Sequence, residues 1–256
     1  MEVQFDQHFL KSEGALYQIV KAVETSSEDN ICEIGAGNCV LTKELLKQNP
    51  KQLTSFEIDP QFTELLTQLK ENHSNFEFVL ESALTAQLTS YTKVVGNIPY
   101  GITEPLYEKI LENRVPIAVF LHGKKFYDTI TTKSQSKWYH FVNAFYNIEK
   151  ITGVPGDLFE PPTKVSSTVV KLTLKEDATP YELILQELFY KRIRTTQNAL
   201  IFACVDILKL PKKTIKQQIV LPSELVSKQL SSISNEEFTI VLEQLMKVLL
   251  NRNEKS

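Results

Sequence analysis

Asn97, Ile98, Pro99 and Tyr100 follow the apolar run Lys93-Val94-Val95-Gly96, so a buried strand would deliver a polar amide, a stiff turn and an aromatic ring to its own end. Proline fixes its own φ and pushes the preceding residue into extended geometry, so no helix takes up the Ile98 carbonyl. The Asn97 side-chain oxygen and that carbonyl form two acceptors side by side, and Tyr100 offers a face for a planar ring. The implied guest is an NH2 group on a flat heterocycle. In adenine the N6 lone pair is delocalised into the ring. Holding both N6 hydrogens out of the ring plane localises that pair on nitrogen, in line for an electrophilic methyl group. Residue frequencies alone make Asn-x-Pro-Tyr a weak signal, because a plain strand end with a surface tyrosine looks the same.

The segments that must position this cluster lie mostly upstream. Asn30-Ile31-Cys32-Glu33-Ile34 predicts a short strand, Gly35-Ala36-Gly37 a turn, and the residues after it a helix. Such glycines let backbone amides approach a ligand at the strand's carboxyl end, beside the positive end of the helix. Cys39 and Val40 stand where a dinucleotide fingerprint has a small residue, which argues against a pyrophosphate ligand. Leu53 to Asp59 predicts a second strand, and Glu57 at its end falls 22 positions after Gly35. An acid at that separation reaches the ribose hydroxyls of a nucleoside lying over the first turn. Phe76 to Leu80 predicts a third strand ending in Glu81-Ser82-Ala83, and Lys93 to Asn97 a fourth. Strands alternating with helices imply a doubly wound parallel sheet whose ligands bind at the carboxyl ends of its strands.

Ahead of these, residues 4–23 open on Gln7-His8-Phe9-Leu10 and pass into a helical pattern. Beyond the fourth strand, Pro105 to Leu111 predicts a helix, Ile117 to Leu121 a fifth buried strand and residues 123–137 an exposed polar connection. Helix, strand and strand follow at 138–145, 147–151 and 166–174, with a proline-stiffened loop between the last two. Phe159 in that loop is either a second stacking surface or a cover for the loop's own core. From residue 178 the pattern is helical only, opened by Thr179-Pro180 and closed by a helix with a Ser234/Glu237 capping box. The expected domains are 1–177 and 178–256.

The 256 residues carry 42% hydrophobic and 23% charged side chains, an ordinary composition for a chain with a buried core. No apolar run approaches a membrane span and no leader is recognisable, so a cytoplasmic protein is expected, and a monomer is expected as well. Cys32, Cys39 and Cys204 are scattered without metal-ligand spacing, so no metal is expected and the thiols are expected reduced. The net charge of −3 hides a split, because residues 181–256 hold 11 Lys and Arg against 8 Asp and Glu, a net of +3 that leaves −6 for the first 180. Lys191, Arg192, Arg194, Lys212 and Lys213 belong to this basic stretch, which is as consistent with phosphate contact as with a solvated face.

Assembled, the segments resemble the ribosomal RNA adenine N6-dimethyltransferases, the family of the bacterial small-subunit dimethylase and the macrolide-resistance methylases. The resemblance runs through Gln7-His8-Phe9-Leu10, Glu33-Ile34-Gly35-Ala36-Gly37, Glu57-Ile58-Asp59, Gly96 through Thr103, and Phe159-x-Pro161-Pro162-x-Lys164-Val165-x-Ser167. It implies a Rossmann-like α/β S-adenosylmethionine-dependent methyltransferase fold with a small C-terminal all-helical domain, and ribosomal RNA or a pre-ribosomal subunit as partner. It further implies that His8 and Leu10 line the methionine end of the cofactor, Gly35 and Gly37 its methionine and ribose portions, and Glu57 the ribose hydroxyls, with Gln7, Ile58, Ser82, Ala83 and Asn97 completing that site. Asn97, Ile98 and Pro99 would present N6, Tyr100 and Phe159 would hold the base, and the basic helical stretch would contact RNA. Departures from the family pattern are Asp6 for glycine, Gly123-Lys124-Lys125 for Gln-Lys-Glu, an acidic pI, and Ser82 for an aspartate that receives the cofactor's adenine amine. A hydroxyl in that place weakens the contact by ~1–2 kcal/mol. The competing readings are a ribosome-assembly factor with weak or no methyl transfer, a large-subunit methylase, and a protein-glutamine or DNA-adenine methyltransferase.

Overall fold

The computed structural model describes residues 8–253, with the side chain of Asn253 outside the description. Gln7 and Asp6 therefore lie outside the described residues. The described chain falls into two compact units, one drawn from Met1–Tyr127 and Asn147–Leu174, the other from Asp128–Tyr146 and Lys175–Ser256.

The first unit is built on a seven-stranded sheet. Strands β2 (Asn30–Ile34), β3 (Gln52–Phe56), β4 (Phe76–Val79), β5 (Lys93–Asn97) and β6 (Ile117–Gly123) are parallel, whereas β9 (Ser167–Leu174) runs antiparallel to β6. Their order is β4-β3-β2-β5-β6-β9, with β7 (Tyr146–Val154) on the far edge. The apolar runs that set these strands are those of a sheet covered on both faces: Ile31, Cys32, Leu53, Val94, Val95, Ala118 and Phe120 are all buried. Chain order reverses between β2 and β5, which creates the crevice in which doubly wound sheets hold ligands. Register aligns the strand ends there, pairing Ile34 with both Phe56 and Gly96. Gly96 is needed for that approach, since a Cβ on it would stand 2.6 Å from the Ile34 carbonyl oxygen.

In the N-terminal segment the helix expected within residues 4–23 is confined to its second half, and a short strand that was not expected precedes it. Helix α1 (Glu13–Val23) starts at a Ser12 cap, whose hydroxyl accepts from the Ala15 amide. The residues before it form a two-residue strand, β1 (Phe9–Leu10), paired antiparallel with β8 (Phe159–Glu160). Residues 123–137 also differ from the exposed connection expected of them. Helix α5 (Lys124–Thr131) occupies much of that stretch, because Ile130 is fully buried and Phe126 packs edge-on against Tyr107, which anchors an otherwise polar segment.

The second unit is helical: α6 (Lys137–Phe145), α7 (Pro180–Tyr190), α8 (Thr196–Leu208), α9 (Lys212–Gln218), α10 (Ser223–Val226) and α11 (Asn235–Asn253). Helix α6 joins it although it precedes the expected boundary at residue 177, because Phe141 and Phe145 pack edge-on against Phe189 at 5.5 and 5.6 Å. Capping boxes open α7 at Thr179 with Glu182, and α11 at Ser234 with Glu237.

Candidate active site

A cavity of about 300 Å³ lies at the carboxyl ends of β2 to β5, in the size range of small-molecule sites. Its floor begins at the turn after β2. Gly37 has a φ of +50° and its amide donates to Glu57 Oε2 at 2.7 Å. Glycine is favoured, since a Cβ there would meet the Phe9 ring at 2.9 Å in a backbone region that L side chains rarely adopt. Glu57 Oε1 accepts from the amides of Ile58 and Asp59 at 2.8 and 2.9 Å. Three of the roughly four acceptor directions of this carboxylate are thus used by the backbone, which leaves one for a ligand hydroxyl. Beside it Ile58 presents an exposed apolar side chain, and Ser82 lines the same wall with its Oγ accepting from the Leu84 amide at 3.3 Å. Ala83 is buried in the lining.

Asn97, Ile98, Pro99 and Tyr100 form the neighbouring wall. Asn97 Nδ2 donates to the His8 carbonyl at 2.9 Å, which fixes the orientation of the side-chain amide and leaves Oδ1 as the free acceptor. The Ile98 amide donates to the Leu121 carbonyl at 2.8 Å, so the residue is tied to β6, while no donor among the described residues reaches the Ile98 carbonyl. The Pro99 carbonyl accepts from Ile102 and Thr103, starting the helical turn that leads into α4 (Thr103–Asn113). Tyr100 is half-buried in the cavity wall.

Over this cavity runs a strap. Phe9 pairs with Glu160 and Leu10 with Phe159, Lys11 forms an ion pair with Glu160 at 2.8 Å, and His8 Nδ1 lies 2.8 Å from the Pro161 carbonyl. His8 and Leu10 line the cavity from it. Phe159 also lines the cavity, yet its ring is only 2% exposed and belongs to the apolar core. Of the two roles its sequence context left open, this burial supports the packed one.

Two buried groups next to the site carry shifted acidities. Glu33 on β2 is fully buried, and burial pushes its carboxyl up to about 7 against the opposing effect of hydrogen bonds from Ser55 and Thr42. His122, at the end of β6, is pushed down to about 4 by burial and is hydrogen-bonded by Tyr107 Oη at 2.8 Å. Among the described residues no cluster of His, Cys, Asp and Glu of the size needed for a metal ion occurs, and no helix is long and apolar enough to cross a membrane.

The basic residues singled out from sequence all fall in the helical unit, and the structure separates them. Arg194 and Lys212 converge on one ring, at 5.1 and 4.4 Å from the Phe202 centroid. Arg192 lies over Phe189 at 4.4 Å, and Lys213 is exposed. Lys191 is different, being paired with both Glu187 and Asp206 and only 16% exposed, so its charge is already answered within the protein. Phe9 and Ser167 also line the cavity without a signal in the sequence, and Glu33 is buried on β2 next to the lining residue Ile34. Glu33 had a signal of its own, an acid inside the otherwise apolar run Ile31-Cys32-Glu33-Ile34.

A doubly wound sheet whose switch point carries a glycine turn, an acid bound beneath it and a paired-acceptor turn on the next strand defines an S-adenosylmethionine-dependent methyltransferase. The model of the family described as ribosomal RNA adenine dimethylase matches residues 1–240, and the chain belongs to that family. It is 33% identical over 227 residues to a ribosomal RNA small subunit methyltransferase A from Thermotoga maritima, covering 84% of this chain and 81% of the relative. A probable ribosomal RNA small subunit methyltransferase A from Methanopyrus kandleri is 32% identical over 209 residues, with 77% and 75% covered. Among solved structures, a dimethyladenosine transferase from Plasmodium falciparum superposes with a TM-score of 0.65 at 26% identity, covering 94% of this chain and 98% of that one. The 23S rRNA methyltransferase ErmE shares the fold at a TM-score of 0.63 and 23% identity, covering 93% and 99%. The protein is accordingly an rRNA adenine methyltransferase that uses S-adenosylmethionine.

Proposed function

We propose that the protein dimethylates N6 of adenine in small-subunit ribosomal RNA during ribosome biogenesis, acting as a monomer in the compartment where ribosomes are built. The observation that carries this reading is the pair of unclaimed acceptors, Asn97 Oδ1 and the Ile98 carbonyl, set beside the Gly37–Glu57 cradle. The small subunit is favoured because the relatives above 30% identity carry small-subunit names, whereas the large-subunit enzyme shares only the fold.

In this reading Gly35, Gly37, His8 and Leu10 border the amino-acid part of S-adenosylmethionine, Glu57 accepts from a ribose hydroxyl, and Ile58, Ser82 and Ala83 border its base. When bound, S-adenosylmethionine supplies a methyl group made electrophilic by the attached sulfonium. In the first transfer Asn97 and Ile98 each accept one N6 hydrogen and turn the lone pair out of the ring plane, and in the second a single hydrogen remains to be accepted. Each transfer releases one N6 proton to solvent, and Pro99 keeps the Ile98 carbonyl extended toward the base. Tyr100 stacks on the adenine after it leaves its RNA stack, and Phe159 limits its depth. No side chain has to act as nucleophile, because positioning and polarisation of N6 carry the rate. Arg194, Lys212, Lys213 and Arg192 bring cations to the RNA phosphates.

Asn97→Ala is expected to leave S-adenosylmethionine binding within about twofold while methyl transfer falls on the order of 100-fold or more. Near-normal turnover would remove Asn97 from the role assigned to it. In cells lacking the protein, mass spectrometry of small-subunit rRNA should show loss of N6,N6-dimethyladenosine at a defined site.

A second reading, an assembly factor with weak transfer, is motivated by Ser82, whose hydroxyl is already engaged by the Leu84 amide and carries no charge. Calorimetric titration with S-adenosylmethionine distinguishes the two, since the enzyme must bind it at micromolar concentrations and the assembly factor need not.

A further inference from the structure

Gly123 of β6 and Ser167 of β9 are partners in the antiparallel register, and both meet the same side chain. A Cβ on Gly123 would stand 3.1 Å from two carbons of the Tyr100 ring, so the bare backbone of β6 forms a seat against which the ring lies. Ser167 Oγ stands 3.3 Å from Tyr100 Oη, at the far end of the ring. Ser167 is only 3% exposed, and it lines the cavity although no ligand role has been given to it above.

We propose that Ser167 is a positioning residue for methyl transfer, acting through Tyr100. A tyrosine side chain rotates about two torsions, and its terminal one is a broad well. The Gly123 seat limits the ring on one side only. A hydrogen bond at Oη restrains the opposite end, so seat and hydroxyl together set the plane on which a base can stack. At 3.3 Å the bond is longer than the usual range for two hydroxyls, and it shortens when a base loads the free face of the ring, as polar contacts in ligand-free sites commonly do. The inference rests on the reading of Tyr100 as the plate for the target adenine.

The test uses the full-length protein, small-subunit RNA from cells lacking it, and radiolabelled S-adenosylmethionine. Ser167→Ala and Tyr100→Phe each remove one hydroxyl of the pair, and each is expected to lower kcat about five- to tenfold with KM for RNA and the calorimetric Kd for S-adenosylmethionine within twofold. The double variant should be no slower than the worse single one, since both changes break the same contact. Ser167→Thr, which keeps the hydroxyl, should restore most of the rate. Should Ser167→Ala fail to fold, Tyr100→Phe tests the contact from its other side. Additive losses, or normal kcat in both single variants while Tyr100→Ala is inactive, would overturn the positioning role and leave the plate intact. An active Tyr100→Ala variant would overturn the plate reading and the inference with it.

Discussion

Glu33 shows how a single residue reports on the interior of the site. Its Oε2 receives hydrogen bonds from Thr42 and Ser55, while Oε1 has no partner among the described residues. Burial raises its pKa from 4.5 to about 7, so the folded state holds a proton that the unfolded chain releases earlier. The stability tied to that proton is complete below pH 4.5 and is lost as pH rises through about 7, a total of about 3 kcal/mol. Glu33→Gln stays neutral throughout, so its stability relative to the parent should climb by about that amount between pH 4.5 and pH 8 in urea melts. A difference that stays flat with pH would mean that Glu33 is ionised in the folded protein. The residue was legible in sequence only as an acid in an apolar strand. Asn97, Ile98 and Tyr100 were legible as a cluster at one strand end because their chemistry is local, and all three line the cavity. The Tyr100–Ser167 contact was not, because it joins positions 67 residues apart.

At the scale of elements, the sheet was readable because parallel strands buried on both faces announce themselves as apolar runs, and Glu57 lay at the spacing that the first crossover sets. The strap was not readable. A two-residue strand has no periodicity, and its partner lies about 150 residues away in the chain. Yet the strap supplies the His8 carbonyl that orients Asn97 and the Phe9 ring that covers Gly37. Phe9 is itself held edge-on by Phe62 at 6.0 Å, so it cannot swing away without losing that contact. Gly37→Ala should therefore both strain a turn at φ +50° and lift the strap. The expected result is S-adenosylmethionine binding weakened about tenfold or more by calorimetry, with the melting temperature lowered only a few degrees. Unchanged affinity in a folded Gly37→Ala protein would mean that the crowded turn does not shape the cofactor site.

Across the whole molecule, a net charge of −3 conceals a division between an acidic sheet-bearing portion and a basic helical tail. The division was visible as a count, but the count could not say which cations are free, because pairing depends on which carboxylates the helices bring alongside. Lys191 illustrates the difference: it stands in the basic run with Arg192 and Arg194, yet Glu187 and Asp206 hold it in place. Arg194 and Lys212 instead both lie over the Phe202 ring, which steadies the two cations without neutralising either. Removal of Lys191 is accordingly expected to change stability, and removal of the pair over Phe202 to change affinity for RNA. Lys191→Ala should lower stability by about 1 kcal/mol and leave the salt dependence of RNA binding as it was. The double variant Arg194→Ala/Lys212→Ala should melt normally, bind RNA more weakly regardless of sequence, and show a slope of log K against log salt reduced by about 1 to 2. Filter binding across a salt series measures both slopes, and an unchanged slope in the double variant would locate the RNA phosphates on another face of the helical unit.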